Sequence, residues 1–531
     1  MQPGPSRNCD PIPIKNFSRP FGSQPDVAAS SASLISSPVY EIQSISSAND
    51  RASTPTTAAT AATPILNASM ASSPSFDDYL PFFTPAELPV VSETQALSYG
   101  QLRELDSVNS YERHRGSTPS FVPNQFDTVT FEPPNGGFQA WAQVLCGFLI
   151  AMNTQGLILA FGVFESYYHK KFLGKQTYFK VAWIGSVQLF AMFIVRAFSA
   201  SLIQKHFRGC FTGGSALLLL SLVFTSFCTK WWLLFCIQGV SMGVAMGLVY
   251  NSGVIVLTSY FSTGLGLATT ICSVGSSFGG IIFSLIAAEC LRVVGFGWTI
   301  RIMALINLVT MIPVNLAIRP RTSRVTPFMS TIKWTSLSNC PFILMAIGMF
   351  FAFWGLYFGF YFIVPFGKDV VHMSSTRSAS LLVVMNIYNL MGRAIGNLLS
   401  GCSFGPMNTL TGACFIVAAA IFMEITTNTE GATYSLACLY GFVAAAIQSL
   451  HVGAIFNFCG TDRTKIQTKM GFTFTLISIA ALTGAPLAGY LIDLNHGKYF
   501  YAQLFSGMCL IMSAILLLSA RLGKKRCANR A

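Results

Sequence analysis

From residue 138 to residue 521 the chain carries twelve apolar runs, each long enough to cross the hydrocarbon core of a bilayer. About 20 residues at a rise of 1.5 Å each span that ~30 Å layer. The runs fall at about 138–164, 181–203, 211–229, 231–257, 263–288 and 297–318, then at 341–366, 378–401, 408–427, 432–457, 466–492 and 499–521. Backbone groups in lipid must be hydrogen-bonded internally, so a continuous apolar run has to be a helix, whereas a membrane barrel would alternate in polarity. The expected fold is therefore an all-α integral membrane protein with twelve transmembrane helices in two six-helix bundles and a disordered N-terminal tail. The expected divisions are a cytoplasmic tail at 1–132, a first bundle at 133–318, a cytoplasmic linker at 319–340, a second bundle at 341–521 and a basic C-terminal tail at 522–531.

Charge separates the same regions. Of 531 residues, 52% are hydrophobic and 10% charged, against about 25% charged in ordinary soluble domains. Residues 1–132 hold 7 Lys or Arg against 13 Asp or Glu, a net of −6, while residues 133–531 hold 26 against 7, a net of +19. The tail is rich in Ser, Thr, Ala and Pro, lacks a helical period and cannot bury enough apolar surface to offset its chain entropy. Six Ser-Pro or Thr-Pro pairs, at Ser37, Thr54, Thr63, Ser73, Thr84 and Thr118, make it a candidate phosphorylation platform, with an unmodified flexible tail as the alternative.

Basic residues of the second region sit in short loops between apolar runs, which argues for membrane topology and against nucleic acid as a partner. With both termini in the cytoplasm, loops on that side and the C-terminus hold 14 Lys or Arg and the opposite loops hold 9, the direction of the positive-inside bias. No cleavable secretion signal opens the chain. The expected location is the cell membrane, with a vacuolar or other organelle membrane as the alternative.

Inside the runs the ionisable residues are few: Arg196, Arg301, Arg393, His451 and, near an end, Glu424. Such residues are functional candidates by default. Arg393 lies near the middle of its run with Asn386 and Asn389 seven and four residues before it, on one helical face. A guanidinium steadied by amide oxygens offers a forked donor matched to a carboxylate. It is equally a structural anchor to neighbouring carbonyls. Arg301 is close enough to a run's end to snorkel to the interface. His451 is a candidate proton carrier or a packed histidine. Asn153, Tyr250 and Tyr361, polar side chains within apolar runs, complete the candidate substrate-binding set of Arg393, Asn389, Asn386 and His451.

Other patterns speak for packing or against catalysis. Gly239, Gly243 and Gly247, and then Gly275, Gly279 and Gly280, let helix backbones approach closely. Fourteen cysteines are scattered singly, with no CxxC pair and no ligand spacing, so they read as small packed side chains, not disulfides or metal ligands. No GxxxxGK[ST] loop is present, which excludes ATP as the motor, and no nucleophile elbow or acidic cluster supplies an enzyme. The reading requires no cofactor and no metal.

A series of motifs then resembles one family. Asn135-Gly136-Gly137-Phe138-Gln139-Ala140-Trp141 opens the first run and Phe161-Gly162-Val163-Phe164-Glu165-Ser166-Tyr167-Tyr168 closes it. Trp183-Ile184-Gly185-Ser186, Gly295-Phe296-Gly297-Trp298 with Arg301, Gly392-Arg393, Phe404-Gly405-Pro406 and Lys469-Met470-Gly471 follow in order. Together they resemble fungal monocarboxylate-transporter-like members of the major facilitator superfamily over residues 133–521. The resemblance implies two bundles around a cavity that opens alternately to each side. It implies secondary active transport of a small organic solute, either a monocarboxylate-like anion or a fungal secondary metabolite, with protons as the candidate coupling ion. Asn389 stands where animal monocarboxylate carriers place an Asp, Thr263 and Gly264 replace the usual basic residues, and Gln204-Lys205-His206-Phe207-Arg208 departs from the usual motif between the second and third runs. The alternative from another class is a non-transporting nutrient sensor that signals through the long tail.

Overall fold

Twelve helices of 19 to 33 residues fill the computed structural model, which describes residues 134–173, 176–262, 264–321, 339–401, 404–458 and 463–528. They are α1 Phe138–Lys170, α2 Tyr178–Phe198, α3 Phe207–Thr225, α4 Trp231–Tyr260, α5 Leu265–Val293 and α6 Gly295–Ala317, followed by α7 Cys340–Asp369, α8 Ser375–Gly401, α9 Gly405–Ile425, α10 Glu430–Phe456, α11 Thr468–Leu494 and α12 Phe500–Arg526. Each is long and apolar enough to cross a bilayer. No strand occurs among the described residues. Every expected run is a helix. The acidic tail, its Ser-Pro and Thr-Pro pairs, Thr263 and most of the 319–340 connection lie outside the described residues.

Helix ends differ from the hydropathy estimate in an informative way. The first run ends at residue 164 by composition, but α1 continues through Glu165 and Tyr167 into a wider π turn at Tyr168–Phe172. Tyr168 is buried there, with its hydroxyl donating to Gln238 Oε1 of α4 at 2.7 Å. A second π turn, Phe235–Ser241, lies within α4 itself, so two irregular turns meet at this contact. Such turns often mark functional positions. Past Arg526 the last helix runs on to Ala528, carrying Lys524, Lys525 and Arg526 on its final turns.

Apolar side chains bring no large gain on helix association in lipid, so close backbone packing must hold the helices together. Glycine supplies it. A Cβ on Gly279 would lie 2.3 Å from the Met152 carbonyl oxygen, and one on Gly275 would lie 2.2 Å from that of Phe148. The α1–α5 contact therefore exists only because these positions lack side chains. Helices α1–α6 pack mainly with one another, as do α7–α12, and the two halves meet through α2 with α11, α5 with α8, and α1 with α7. Large apolar side chains such as Phe224, Val309, Leu316, Leu398 and Met423 point outward and more than half exposed. On a water-facing surface they would be an aggregation hazard, whereas in acyl chains they are the correct solvent match.

Candidate functional site

Three helices converge on Arg393. On α8 the residues Asn386, Asn389 and Arg393 share one face, as their spacing of three and four predicts, and that face turns toward α5 and α10. Arg393 Nε donates to Ser277 Oγ of α5 at 2.8 Å and to Asn389 Oδ1 at 3.0 Å, and Nη2 donates to Gln448 Oε1 of α10. Ser277 donates in turn to Asn389 Oδ1 at 2.6 Å, and Asn389 Nδ2 reaches the Gly441 carbonyl at 3.2 Å. The guanidinium is thus oriented by neutral oxygens from both halves while its side chain is only 2% exposed. Nη1 donates to no described residue.

A small cavity opens beside this group, lined by Gln155, Leu159, Met192, Phe193, Phe353 and Tyr357 together with Arg393, Gln448 and His451. It holds about 10 Å³, roughly the room one water needs. In this conformation the centre is closed around its polar groups, and an organic solute enters only if the halves separate.

A second cation flanks the cavity. Arg196 of α2 is 6% exposed, and its Nε and Nη1 have no hydrogen-bond partner among the described residues. Its guanidinium carbon sits 4.5 Å from the ring centroid of Tyr250, 4.6 Å from that of Phe474 and 5.5 Å from that of Phe193. Desolvated contacts of this kind contribute about 2 kcal/mol each and use the faces of the rings, not hydrogen bonds at the guanidinium edge. Among the described residues neither Arg196 nor Arg393 forms an ion pair. His451 adds an aromatic wall, with Phe353 and Phe474 edge-on at 5.4 and 6.0 Å. Its ring nitrogens make no well-formed hydrogen bond and face the carbonyls of Ile447 and Gln448 one turn back.

The remaining expected site residues scatter. Asn386 is buried at the α5–α8 seam, where Nδ2 contacts Ser284 Oγ at 3.3 Å. Tyr250 belongs to the Arg196 stack. Tyr361 is buried on α7 against Phe161, ring centroids 4.9 Å apart, with a hydroxyl that has no partner among the described residues. Asn153 is not brought to the cavity. It donates to Thr310 Oγ1 at 2.8 Å and accepts from Asn307 at 3.1 Å, fastening α1 to α6. Arg301 reaches Ser226 Oγ at 3.3 Å and stacks on Phe227 and Trp298, away from the centre.

Where α1 ends, polar contacts bridge the halves. Lys170 pairs with Asp369 of α7, and Asp369 also accepts from Tyr178 of α2 and, at 3.1 Å, from Tyr499. Burial beside Tyr178 and Asp369 holds the Tyr499 hydroxyl well above the usual tyrosine range, so it remains a proton donor. Asp493 of α11 accepts from the Tyr178 and Phe179 amides at 3.1 and 2.9 Å, capping α2 from the opposite half. Lys368 donates to Ser166 Oγ at 2.8 Å. This Asp369 end is held shut by charge-assisted bonds.

Sequence reasoning did not place Gln448, Tyr357, Phe193, Phe353 or Ser277 at the centre, and it set Arg196 outside the binding set. Gln448 was within reach, since it stands three residues before His451 on the same face of α10. The aromatic residues carried no signal that separates cavity lining from core.

Twelve membrane-length helices in two halves around a buried, cationic centre define a multi-pass membrane transporter of small molecules. Residues 144–468 match the profile of the Major Facilitator Superfamily. The chain is 33% identical over 435 residues to an MFS-type transporter of Gibberella zeae, covering 79% of this chain and 97% of that protein. It is 30% identical over 419 residues to the agnestins efflux protein of Paecilomyces divaricatus, covering 76% and 93%, and 29% identical over 392 residues to the aspyridones efflux protein of Emericella nidulans, covering 73% and 79%. The chain belongs to the major facilitator superfamily.

Proposed function

We propose that the chain exports an acidic, aromatic fungal metabolite by alternating access, with Arg393 contacting the anionic group. The observation that carries this reading is the state of Arg393. It is buried without a carboxylate partner among the described residues, oriented by three neutral oxygens, and has Nη1 uncommitted beside the cavity. A buried cation left unpaired is costly, and an anionic solute that pairs with it removes that cost. Arg196 offers a second cation, and the walls of Phe193, Phe353, Tyr357 and His451 suit a flat ring better than a short aliphatic acid. Relatives named as efflux proteins for fungal metabolites support export and favour the metabolite over the simple monocarboxylate. The ordered motifs of the sequence support a place in the monocarboxylate-transporter-like branch of that superfamily.

In this reading residues 133–318 and 341–521 are the two moving bundles, both termini lie in the cytoplasm, the Asp369 end faces away from it, and the membrane is that of the cell surface. Inside-out vesicles carrying the full chain, offered aromatic carboxylic acids and their neutral amides and analysed by mass spectrometry, test the proposal. The acids are expected to accumulate over the amides, and Arg393→Ala to abolish that preference. Unchanged acid flux in Arg393→Ala would remove this residue from the site.

A further inference from the structure

Glu165, five residues before the Lys170 end of α1, is 0% exposed, and neither carboxyl oxygen has a hydrogen-bond partner among the described residues. The titratable groups in electrostatic reach of it are Tyr168 of its own helix, Tyr178 of α2, Tyr361 of α7 and Asp493 of α11. Helices α5 and α8, which also pack on this turn, add none to that set. Of the cations nearby, Lys170 pairs with Asp369 and Lys368 donates to Ser166. Tyr361 of the opposite half lies in electrostatic reach of Glu165, and its hydroxyl is also buried and without a partner among the described residues.

An ionised carboxylate stripped of water and of every donor is several kcal/mol out of balance, and the negative Asp493 adds to the penalty. The neutral acid is not. The closed Asp369 end is therefore compatible with the protonated form of Glu165 only. When α1 and α7 part at that end, water reaches the carboxyl, the penalty vanishes and the ionised form is favoured. From Glu165 inward, Tyr361 is followed by Tyr357 at a ring-centroid distance of 6.0 Å, and Tyr357 lines the Arg393 cavity.

We propose that Glu165 is a proton-binding site at the seam between the halves, loaded from water when the Asp369 end is open and required to be loaded before that end can close. The step forms one O–H bond, with the proton taken from the aqueous phase on that side, and involves no other reactant. Its role as the coupling site rests on the transport reading above, while the proton binding itself does not.

Two measurements on the purified full chain in lipid test it. Infrared difference spectra taken across a pH titration are expected to show a carboxylic-acid C=O band near neutral pH that Glu165→Gln removes. Glu165→Asp, which keeps the acid on a shorter arm, is expected to shift the band, so the assignment survives even if the Gln variant fails to fold. Hydrogen exchange at the Tyr178 and Phe179 amides, bonded across the seam to Asp493, reports opening of the same end. Corrected for its intrinsic pH dependence, that exchange is expected to rise about tenfold per pH unit while one proton is linked to opening, and to lose this rise in Glu165→Gln. A spectrum with no band sensitive to either substitution, or the same pH dependence of exchange in Glu165→Gln as in the native chain, overturns the proposal. Failure of organic-acid flux with both signals intact would retire the transport reading and leave the proton site standing.

Discussion

Gln448 accepts a hydrogen bond from Arg393 Nη2 through Oε1, while its own amide nitrogen is buried with no partner among the described residues. This side chain on α10 thus helps Ser277 and Asn389 orient the central cation without neutralising it. Replacing it by the near-isosteric Gln448→Glu supplies a carboxylate at the same spot. The internal pair then competes with an anionic solute, so binding of acids is expected to weaken more than tenfold while thermal stability holds or rises. Gln448→Leu keeps the volume but removes an acceptor from a buried guanidinium, and is expected to cost about 1–3 kcal/mol of stability. Binding and melting measured on both variants separate the two effects. Acid affinity unchanged in Gln448→Glu would mean that the solute does not use Arg393.

The twelve helices were legible because lipid imposes a length and an internal hydrogen-bonding rule that composition cannot hide. The reach of α1 was not. Composition ends the first run at about residue 164, just before Glu165, whereas the structure continues the helix in a π turn and ties Tyr168 to Gln238, 70 residues away. The face of Arg393, Asn389 and Asn386 was readable from spacing within one helix. Its partners Ser277 and Gln448 stand 116 and 55 residues from it in sequence, and no local pattern connects them. Asn153 shows why a polar residue in an apolar run has two readings, since an amide there serves equally to join two helices, and here it bonds α1 to α6.

Asp369 gathers Lys170, Tyr178 and Tyr499 at the closed end, two of them from the opposite half. The Lys170 and Asp369 side chains are 39% and 25% exposed, so the ion pair alone contributes little beyond about 1 kcal/mol after screening. With the tyrosine bonds weakened as well, Asp369→Asn is expected to bias the protein toward the conformation open at this end by about 1–2 kcal/mol, a factor of about 5–30 in population. Faster exchange of the Tyr178 and Phe179 amides at fixed pH is the readout. An unaltered rate would show that closure resides in the apolar contacts instead.

Every described helix begins at or after Phe138, and the family match begins at residue 144. A transporter keeps its machinery in that part of the chain, whereas a receptor needs a segment that passes the signal on. Removal of residues 1–125 is therefore expected to leave acid flux per molecule of protein in vesicles within about twofold of the native chain, a difference of under 1 kcal/mol in the barrier. Loss of flux at normal surface abundance would contradict this and return weight to a signalling tail.

Two glycines distinguish a joint that moves from one that does not. A Cβ on Gly162 of α1 would lie 2.2 Å from the Phe360 carbonyl oxygen of α7, across the seam between the halves, and one on Gly275 of α5 would lie 2.2 Å from the Phe148 carbonyl oxygen of α1, within one half. The clash is the same size in both places, and neither backbone carbonyl can rotate away. Only the first can be relieved by parting the halves. Gly162→Ala is therefore expected to shift the population toward the state open at the Asp369 end, raising exchange at Tyr178 with a small loss of melting temperature. Gly275→Ala has no such escape and is expected to lower stability by about 1–3 kcal/mol, as overpacking does, without changing that exchange. If both substitutions lowered stability alike and neither moved the exchange, α1 and α7 would have to travel as one body, and the seam would lie elsewhere.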